Sequence, residues 1–182
     1  MRSLKIFAIV FPAVFIADQL TKWVILEYVI RPDWQTSLPF WTWAVDAPAR
    51  LGPNTIEIFP FFNIVMVWNY GISFGILSSQ SVYQPYILSA VSLIISGILF
   101  YWLLKEKRLG LMIAFSVIIG GAMGNVADRL RFGAVADFFD FHIAGWHYPA
   151  FNIADSAIVL GVAYLLLDIL LLNKSNKDEM MI

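Results

Sequence analysis

Two aspartates, Asp137 and Asp155, have positions in the chain that could support chemistry. Asp137 lies in AVADF, a stretch typical of a short strand, which follows a turn at Gly133. Asp155 lies about one helical turn inside an apolar stretch that opens with PAFNIAD. A carboxylate inside a membrane costs ~2.5–3.5 kcal/mol on insertion scales, so Asp155 needs a partner or a function. Gly145 and Pro149 could turn the chain back and bring the two acids together.

If the two carboxylates meet, they can activate water. Two neighbouring acids cannot both ionise easily, so one keeps its proton near neutral pH. The ionised acid takes a proton from water, the water attacks a peptide carbonyl, and the protonated acid supports the oxyanion and the leaving amine. This chemistry requires no metal, no other cofactor and no nucleophilic side chain. The chain has no cysteine and two histidines, which fits such a mechanism.

Further polar residues interrupt the apolar stretches on the same side of the membrane. Asp18 and Lys22 are four residues apart, so they share a helix face and can pair. Such a pair either fixes helix packing or helps to hold a substrate. Asn125, Asp128 and Arg129 follow a glycine-rich stretch, GGAMG, whose small residues allow helices to approach closely.

Composition and apolar stretches indicate that membrane-spanning helices position these residues. Of the 182 residues, 60% are hydrophobic and 14% are charged, and the mean hydropathy is +0.75. Soluble domains are about 45–50% apolar, so this chain needs a bilayer as its solvent. The net charge of −1 argues against nucleic acid as a partner. Four stretches are long enough to span a membrane, at about Leu4–Val29, Tyr86–Leu104, Leu109–Asn125 and Phe151–Leu172.

The sequence therefore predicts a membrane α-helical fold, with residues 1–182 forming a single integral membrane domain. We expect the first span to be retained rather than cleaved as a signal peptide, because Asp18 and Lys22 interrupt it. Asn152 and Asp155 are three residues apart, so the helical pattern places them on one face of the fourth span.

Basic residues beside the spans predict the orientation, because they concentrate on the cytoplasmic side. One side holds seven of them, namely Arg2, Lys5, Lys105, Lys107, Arg108, Lys174 and Lys177. The other side holds four, namely Arg31, Arg50, Arg129 and Arg131. Both termini are therefore expected in the cytoplasm, with the acids near the extracytoplasmic face.

Residues 30–85 form the expected extracytoplasmic segment. The run TIEIFPFFNIVMVW favours strands, and the many prolines before it favour irregular loops. We expect a small sheet and loops on the membrane surface, with Trp34, Trp41 and Trp43 at the interface. The polar C-terminal stretch NKSNKDEMMI is expected to fray.

Four sequence blocks together resemble the lipoprotein signal peptidase (signal peptidase II) family of bacterial membrane aspartic peptidases. The blocks occur in order as DQLTK (18–22), NYGISFG (69–75), GNVADRLRFGAVADF (124–138) and FNIADSAI (151–158). The resemblance implies that Asp137 and Asp155 form the catalytic dyad. It also implies that other motif positions shape or support the site, namely Asp18, Lys22, Asn69, Gly71, Asn125, Asp128, Arg129 and Asn152.

The resemblance also implies a substrate, a location and part of the architecture. The family removes signal peptides from prolipoproteins by cutting before a cysteine that already carries diacylglycerol. We therefore expect a multi-pass protein of the bacterial inner membrane that contacts lipids, binds no nucleic acid and acts as a monomer. An extracytoplasmic β-cradle and a nearby surface helix or loop are also expected.

Three features depart from the family pattern, and two other functions remain open. Tyr70 replaces the usual threonine of the second block, and the stretch between the first span and Asn69 is long. Asp140 lies three residues beyond Asp137, on the opposite face of a regular strand. In an irregular loop it could compete for the dyad role, but we favour Asp137 and expect Asp140 to be a solvated or supporting acid. The alternatives are a small proton-coupled transporter or channel and a structural assembly subunit.

Overall fold

The structure is a computed structural model that describes residues 2–32, 35–46, 48–71 and 82–179, with side chains as far as residue 171. In the described residues, the apolar stretches fold as four long helices and the β-favouring stretches fold as four strands. Within the described residues, the elements in chain order are α1 (Arg2–Val24, continued by a π-helical segment, Ile25–Ile30), α2 (Phe40–Asp46), β1 (Thr55–Phe59), β2 (Phe62–Asn69), α3 (Gln84–Lys105), α4 (Leu109–Phe132), β3 (Val135–Ile143), β4 (Trp146–His147) and α5 (Ile153–Glu179).

The helices α1, α3, α4 and α5 are long and apolar enough to cross a membrane, which confirms the predicted fold class. Helix α4 is the central one. In its most apolar 18-residue stretch, 67% is buried inside the protein, compared with 11–28% in the corresponding stretches of the other three helices. It packs against α1, α3 and α5. The remaining helices therefore turn most of their apolar surface outward, as expected where lipid is the solvent.

Glycines on α4 allow close contact with its neighbours. A Cβ on Gly121 would lie 2.5 Å from the carbonyl oxygen of Ala154 at the start of α5. A Cβ on Gly124 would collide with the carboxylate of Asp18 on α1. The small-residue packing predicted for the GGAMG stretch therefore brings α1 and α5 against the same part of α4.

Helix α4 is longer than the span predicted from sequence. It continues past Asn125 to Phe132, so Asp128 and Arg129 lie inside it. It ends at Gly133, whose left-handed backbone (φ 72°) lets its N–H donate to the carbonyl oxygen of Arg129 at 3.0 Å. A glycine at this position is a common helix terminator because it adopts that conformation without strain.

The four strands form one antiparallel sheet in the order β1-β2-β3-β4. This confirms the prediction of a small sheet. Its apolar residues pack on the end of α1 and the π-helical segment, around Leu26, Ile30, Met66 and Phe138. The sheet is thereby fixed at one end of the helical bundle. Strand β3 starts directly after α4, and α5 starts six residues after β4, so both candidate acids lie where the sheet meets the bundle.

A bulge in β2 sets which side chains share a sheet face. The register shifts between Ile64 and Val67, because β2 has one more residue in this stretch than the paired stretch of β3. Asn63 and Asn69 are an even number of residues apart, and a regular strand would place them on the same face. The bulge places them on opposite faces, so that Asn63 binds Asp140 while Asn69 binds Asp137.

The tryptophans predicted at the interface have different environments. Trp41 on α2 is exposed, which leaves its interfacial position a prediction, and Trp34 lies outside the described residues. Trp43 is only 1% exposed, so its predicted interfacial position is wrong. Its ring lies 4.4 Å from the guanidinium of Arg131 and packs against the ring of Phe132. Trp43 therefore anchors the surface helix α2 to the end of α4.

Candidate active site

The start of α5 is held by a reciprocal cap between Asn152 and Asp155. The Asp155 backbone N–H donates to Asn152 Oδ1 at 2.9 Å, and the Asn152 N–H donates to Asp155 Oδ2 at 3.3 Å. Such a capping box satisfies backbone donors that an α-helix leaves free at its N-terminus. The prediction that both residues share a helix face is wrong, because Asn152 precedes the helix. They meet instead because one caps the other.

Two asparagine amides connect Asp137 to Asp155. Asn152 Nδ2 donates to Asp137 Oδ1 at 2.8 Å and to Asn125 Oδ1 at 3.3 Å. Asn125 Nδ2 donates in turn to Asp155 Oδ1 at 2.8 Å. The two acids predicted to come together therefore lie at the ends of one short chain of hydrogen bonds. That chain joins β3, α4 and the start of α5.

The end of β2 supplies another amide to Asp137. Asn69 Nδ2 donates to Asp137 Oδ2 at 3.0 Å, and the Gly71 N–H donates to Asn69 Oδ1 at 3.0 Å. The Gly71 carbonyl oxygen accepts a 3.0 Å hydrogen bond from Arg129 Nη2 on α4. The structure thus brings Asn69, Gly71 and Arg129 together beside Asp137. The rest of the NYGISFG block, residues 72–75, lies outside the described residues.

The two acids have different environments. Asp137 is 1% exposed, whereas Asp155 is half-buried and lines a groove. Burial raises the pKa of the Asp137 carboxyl well above its ordinary value, and the nearby negative charge of Asp155 raises that pKa further. The arrangement therefore favours a protonated Asp137 beside a more accessible Asp155.

A buried ion cluster lies behind the acids. Lys22 is completely buried, with its Nζ 2.9 Å from Asp18 Oδ2 and 2.7 Å from Asp128 Oδ2. It also donates to Asn125 Oδ1 at 3.4 Å. The predicted pairing of Asp18 with Lys22 is confirmed, and the cluster includes Asp128 as well.

The carboxylates of this cluster reach the backbone next to each candidate catalytic acid. Asp18 Oδ1 accepts the N–H of Ala154 at 3.0 Å, and Ala154 immediately precedes Asp155. Asp128 Oδ2 accepts the N–H of Ala136 at 3.2 Å, one residue before Asp137. Asp18 and Asp128 thus act as fixed acceptors for the two backbone segments that carry the candidate acids.

Gln19 and Arg131, which the sequence alone does not single out as site residues, also join this cluster. Arg131 Nη2 lies 2.5 Å from Gln19 Oε1 and 3.2 Å from Asp128 Oδ1, and Gln19 Nε2 donates to Asp18 Oδ2 at 2.9 Å. Arg131 had been counted only as a charge that sets orientation. Its position three residues after Asp128 on a helix was the signal that could have predicted the ion pair.

Asp140 belongs to a separate cluster on the other face of the sheet. It is only 5% exposed, so the expectation of a solvated acid is wrong. Asn63 Nδ2 donates to Asp140 Oδ2 at 3.0 Å, and His147 Nδ1 lies 2.9 Å from both Asp140 oxygens. Asp140 therefore joins β2, β3 and β4, in line with the supporting role that the sequence left open.

An apolar groove of about 730 Å³ leads to Asp155 and to Asn69, the hydrogen-bond partner of Asp137. One wall is the first two turns of α5, from Asp155 to Leu160, and the other carries aromatic residues of the sheet. Asn69 and Asp155 are its most polar lining residues. Among the described residues, no three His, Cys, Asp or Glu side chains are grouped to hold a metal ion. The groove is therefore suited to an extended, mostly apolar ligand whose polar segment lies next to Asp155.

Comparisons with known proteins agree on one family. The family model described as "Signal peptidase (SPase) II" matches residues 10–171. The lipoprotein signal peptidase of Shewanella baltica is 38% identical over 169 residues, which cover 91% of this chain and 86% of that protein. The lipoprotein signal peptidase of Vibrio parahaemolyticus is 46% identical over 117 residues, which cover 63% of this chain and 69% of that protein.

Solved structures give the same result for the fold. A bacterial membrane enzyme structure superposes with a TM-score of 0.68 and 31% identity, covering 97% of this chain and 91% of the other. A second bacterial membrane enzyme structure superposes with a TM-score of 0.65 and 30% identity, covering 93% and 92%. Both matches cover more than nine tenths of this chain, so the fold as a whole is shared with these membrane enzymes.

Proposed function

Because the chain belongs to the signal peptidase II family, we propose that it cleaves diacylglyceryl-modified prolipoproteins before the lipidated cysteine, with Asp137 and Asp155 as its catalytic acids. Family membership makes it a multi-pass bacterial membrane peptidase that processes lipoprotein signal peptides. The aspartic mechanism, the position of the cut and the lipid on the substrate are the parts that we add.

The observation that carries this proposal is the hydrogen-bonded connection between the two acids. Asp137 and Asp155 come from different elements, yet Asn152 and Asn125 join them directly. Burial raises the pKa of Asp137 and favours its protonated form, while Asp155 faces the groove, where it can meet water. A protonated acid beside an ionised acid is the arrangement that water activation requires.

The proposed reaction balances with these two groups alone. The Asp155 carboxylate takes a proton from water as the water oxygen bonds to the scissile carbonyl carbon. The Asp137 hydroxyl donates a hydrogen bond to the oxygen that becomes negative. When the tetrahedral intermediate collapses, the carbon–nitrogen bond breaks and the proton on Asp155 passes to the leaving amine. Both acids return to their initial protonation states, and no cofactor is consumed.

The groove supports the choice of a lipid-anchored peptide as substrate. Asp155 and Asn69 lie at its polar end, and its walls toward Val159 and Leu160 are apolar and continue along α5. A peptide attached to acyl chains could therefore place its scissile bond at the acids while the chains stay in the bilayer. By the distribution of basic residues, we place this site near the extracytoplasmic face, with both termini in the cytoplasm.

Transport and assembly have weaker support. A transporter would carry polar groups through the whole membrane depth and often shows repeated halves. In the described parts of the spans, the ionisable residues cluster at the sheet end, and Asp168 is the main one in the other half. Asp168 Oδ2 pairs with Arg108 at 2.9 Å. The cluster around Lys22 would suit an assembly subunit, but such a role does not account for the groove that ends at the acids.

The test uses purified protein in lipid nanodiscs and a diacylglyceryl-modified prolipoprotein. Asp137→Asn and Asp155→Asn should each lower cleavage by about 10³-fold or more, because each removes one of the two proton-transfer groups. Asp140→Asn is the matched control, since the same chemical change three residues from Asp137 affects the His147 cluster instead. It should retain most activity.

Mass spectrometry of the products locates the cut, and EDTA should leave the rate unchanged. Full activity of either dyad variant would refute the aspartic mechanism, and complete loss in Asp140→Asn would show that the wrong acid was chosen. Equal cleavage of a prolipoprotein without diacylglycerol would refute the lipid requirement.

A further inference from the structure

Two turns at the far end of the sheet lie side by side. The turn between β1 and β2 ends at Phe62, which pairs with Phe141 on β3. The N–H of His142 donates to the carbonyl oxygen of Phe61 at 2.9 Å. The turn between β3 and β4 follows at once, because Ile143 pairs with Trp146. The opposite end of the sheet meets α4, and these two turns lie together across the groove from α5.

Both turns present large apolar side chains to their surroundings. Phe59 is 56% exposed and Phe61 55%, and their rings stack with centroids 5.7 Å apart. Ile143 is 72% exposed and Trp146 63%. A contiguous exposed apolar patch of this kind marks a binding surface rather than ordinary protein surface.

The chemistry of the patch fits a lipid surface. Residues 58–61 and 141–146 include no Lys, Arg, Asp or Glu, and His142 is their single ionisable residue. Phenylalanine and isoleucine favour hydrocarbon, and tryptophan favours the boundary between hydrocarbon and headgroups. Since no basic residue is present, attraction to anionic headgroups is not required, and zwitterionic lipid should suffice.

The position of the patch along α5 corresponds to a depth inside the hydrocarbon core. The spanning part of α5, Ile153–Leu171, has 19 residues and is about 28 Å long, close to a hydrocarbon core of about 30 Å. Ile153 therefore lies near one boundary. Leu160 lies about 10 Å further into the span. The groove that contains Leu160 in one wall contains Phe61, Ile143 and Trp146 in the other.

We propose that the two turns, Phe59–Phe61 and Ile143–Trp146, insert together into the membrane leaflet beside α5 and anchor the free end of the sheet there. The lipid-facing surface of α5 at Val159 and Leu160 is continuous with the patch across the groove, so the occupant is the bilayer. This anchoring is independent of the catalytic proposal. It would keep the sheet wall of the groove at a fixed depth relative to α5.

The test uses the absence of cysteine from the chain, which permits single labels without background. Phe61→Cys and Trp146→Cys each receive a nitroxide, and the protein is placed in phosphatidylcholine nanodiscs. Ile94→Cys, on the exposed face of α3, is the lipid reference, and Lys107→Cys, in the charged turn before α4, is the aqueous reference. Collision with oxygen and with a water-soluble nickel chelate reports the depth of each label.

Labels at both Phe61 and Trp146 should resemble the Ile94 label, with oxygen accessibility exceeding nickel accessibility several-fold. Nickel accessibility equal to that at Lys107 would overturn the proposal, and so would insertion of one turn without the other. Protection from both reagents would show that protein, such as a second copy, covers the patch, which also overturns it. All four positions are exposed, and circular dichroism with size-exclusion chromatography checks that each variant keeps its fold.

Discussion

At the scale of single residues, amides position the acids. Asn152 contacts Asp137 through its side chain and caps the helix that carries Asp155. An amide donor holds a carboxylate without adding charge, so Asp137 remains in a buried environment that favours its protonated form. A lysine at the same place would instead favour ionisation of Asp137 and remove the difference between the two acids.

The amide of Asn69 provides a test of this view. Its hydrogen bond favours the ionised form of Asp137 and so lowers the pKa of that carboxyl, while burial raises the pKa well above its ordinary value. The proposed mechanism needs Asp137 protonated, so kcat/KM should fall as pH rises through the Asp137 pKa. Asn69→Ala removes the donor and should raise that pKa further. The alkaline limb of the pH profile should therefore move to higher pH, although the maximal rate falls. A shift to lower pH would contradict the assignment of Asp137 as the protonated acid.

Lys22 offers a second prediction at this scale. Removing one member of a buried ion pair typically costs about 3–5 kcal/mol, because the remaining charge is left without a partner. Lys22→Met leaves Asp18 and Asp128 unneutralised, and both bind the backbone beside the dyad. We expect a large fall in thermal unfolding temperature in detergent and a lower kcat per folded molecule.

The control for Lys22→Met is Arg108→Met, which removes a half-exposed cation from its pair with Asp168. An exposed pair contributes about 0–1 kcal/mol, so this variant should unfold near the wild-type temperature. Equal stability of the two variants would show that the buried cluster does not support the site.

At the scale of elements, the site depends on how closely α5 approaches α4. Asp155 lies in the first turn of α5, and Asn125, its partner, lies on α4. The distance between these helices is set where Gly121 faces the backbone of Ala154. Packing of two helices therefore controls a hydrogen bond to a candidate catalytic acid.

Substitution of Gly121 by alanine tests this control. The new Cβ would lie 2.5 Å from the Ala154 carbonyl oxygen, so α5 must shift. Overpacking of this kind costs about 1–3 kcal/mol, and the shift should lower kcat by separating Asn125 from Asp155. Gly97→Ala on α3 is the matched control, because nothing lies within 4 Å of its Cβ. It should be neutral or slightly stabilising. Unchanged activity in Gly121→Ala would mean that helix spacing does not position Asp155.

At the scale of the whole molecule, the two ends of the bundle differ. The sheet, the ion cluster around Lys22 and the groove lie at one end, and the Arg108–Asp168 pair lies at the other. This asymmetry suits the proposed hydrolase, in which water would reach the acids from one surface and the acyl chains of the substrate from the side. It also makes orientation in the membrane a functional property.

The orientation can be measured in cells with single cysteines. Thr55→Cys at the start of β1 and Lys107→Cys in the turn between α3 and α4 are both exposed and lie at opposite ends. The charge distribution predicts that Thr55→Cys reacts with a membrane-impermeant maleimide in intact cells, whereas Lys107→Cys reacts only after permeabilisation. The reverse result would place the site in the cytoplasm.

The sequence by itself determined that this protein needs a lipid bilayer around it and which stretches form its spans and strands. Hydropathy and length are properties of contiguous residues, so four spans, the strand run before Asn69 and the strand that carries Asp137 were all predictable. The motif blocks likewise indicated the candidate dyad, and the i,i+4 spacing of Asp18 and Lys22 indicated their pairing. None of these conclusions needed a contact between distant parts of the chain.

Only the tertiary structure decided which distant side chains meet. The bulge in β2 assigns Asn63 to Asp140 and Asn69 to Asp137, and periodicity would have placed the two asparagines on one face. Trp43 is buried because α2 packs against the end of α4. Sheet register and helix packing are set by the fit of many residues at once, so local patterns cannot specify them.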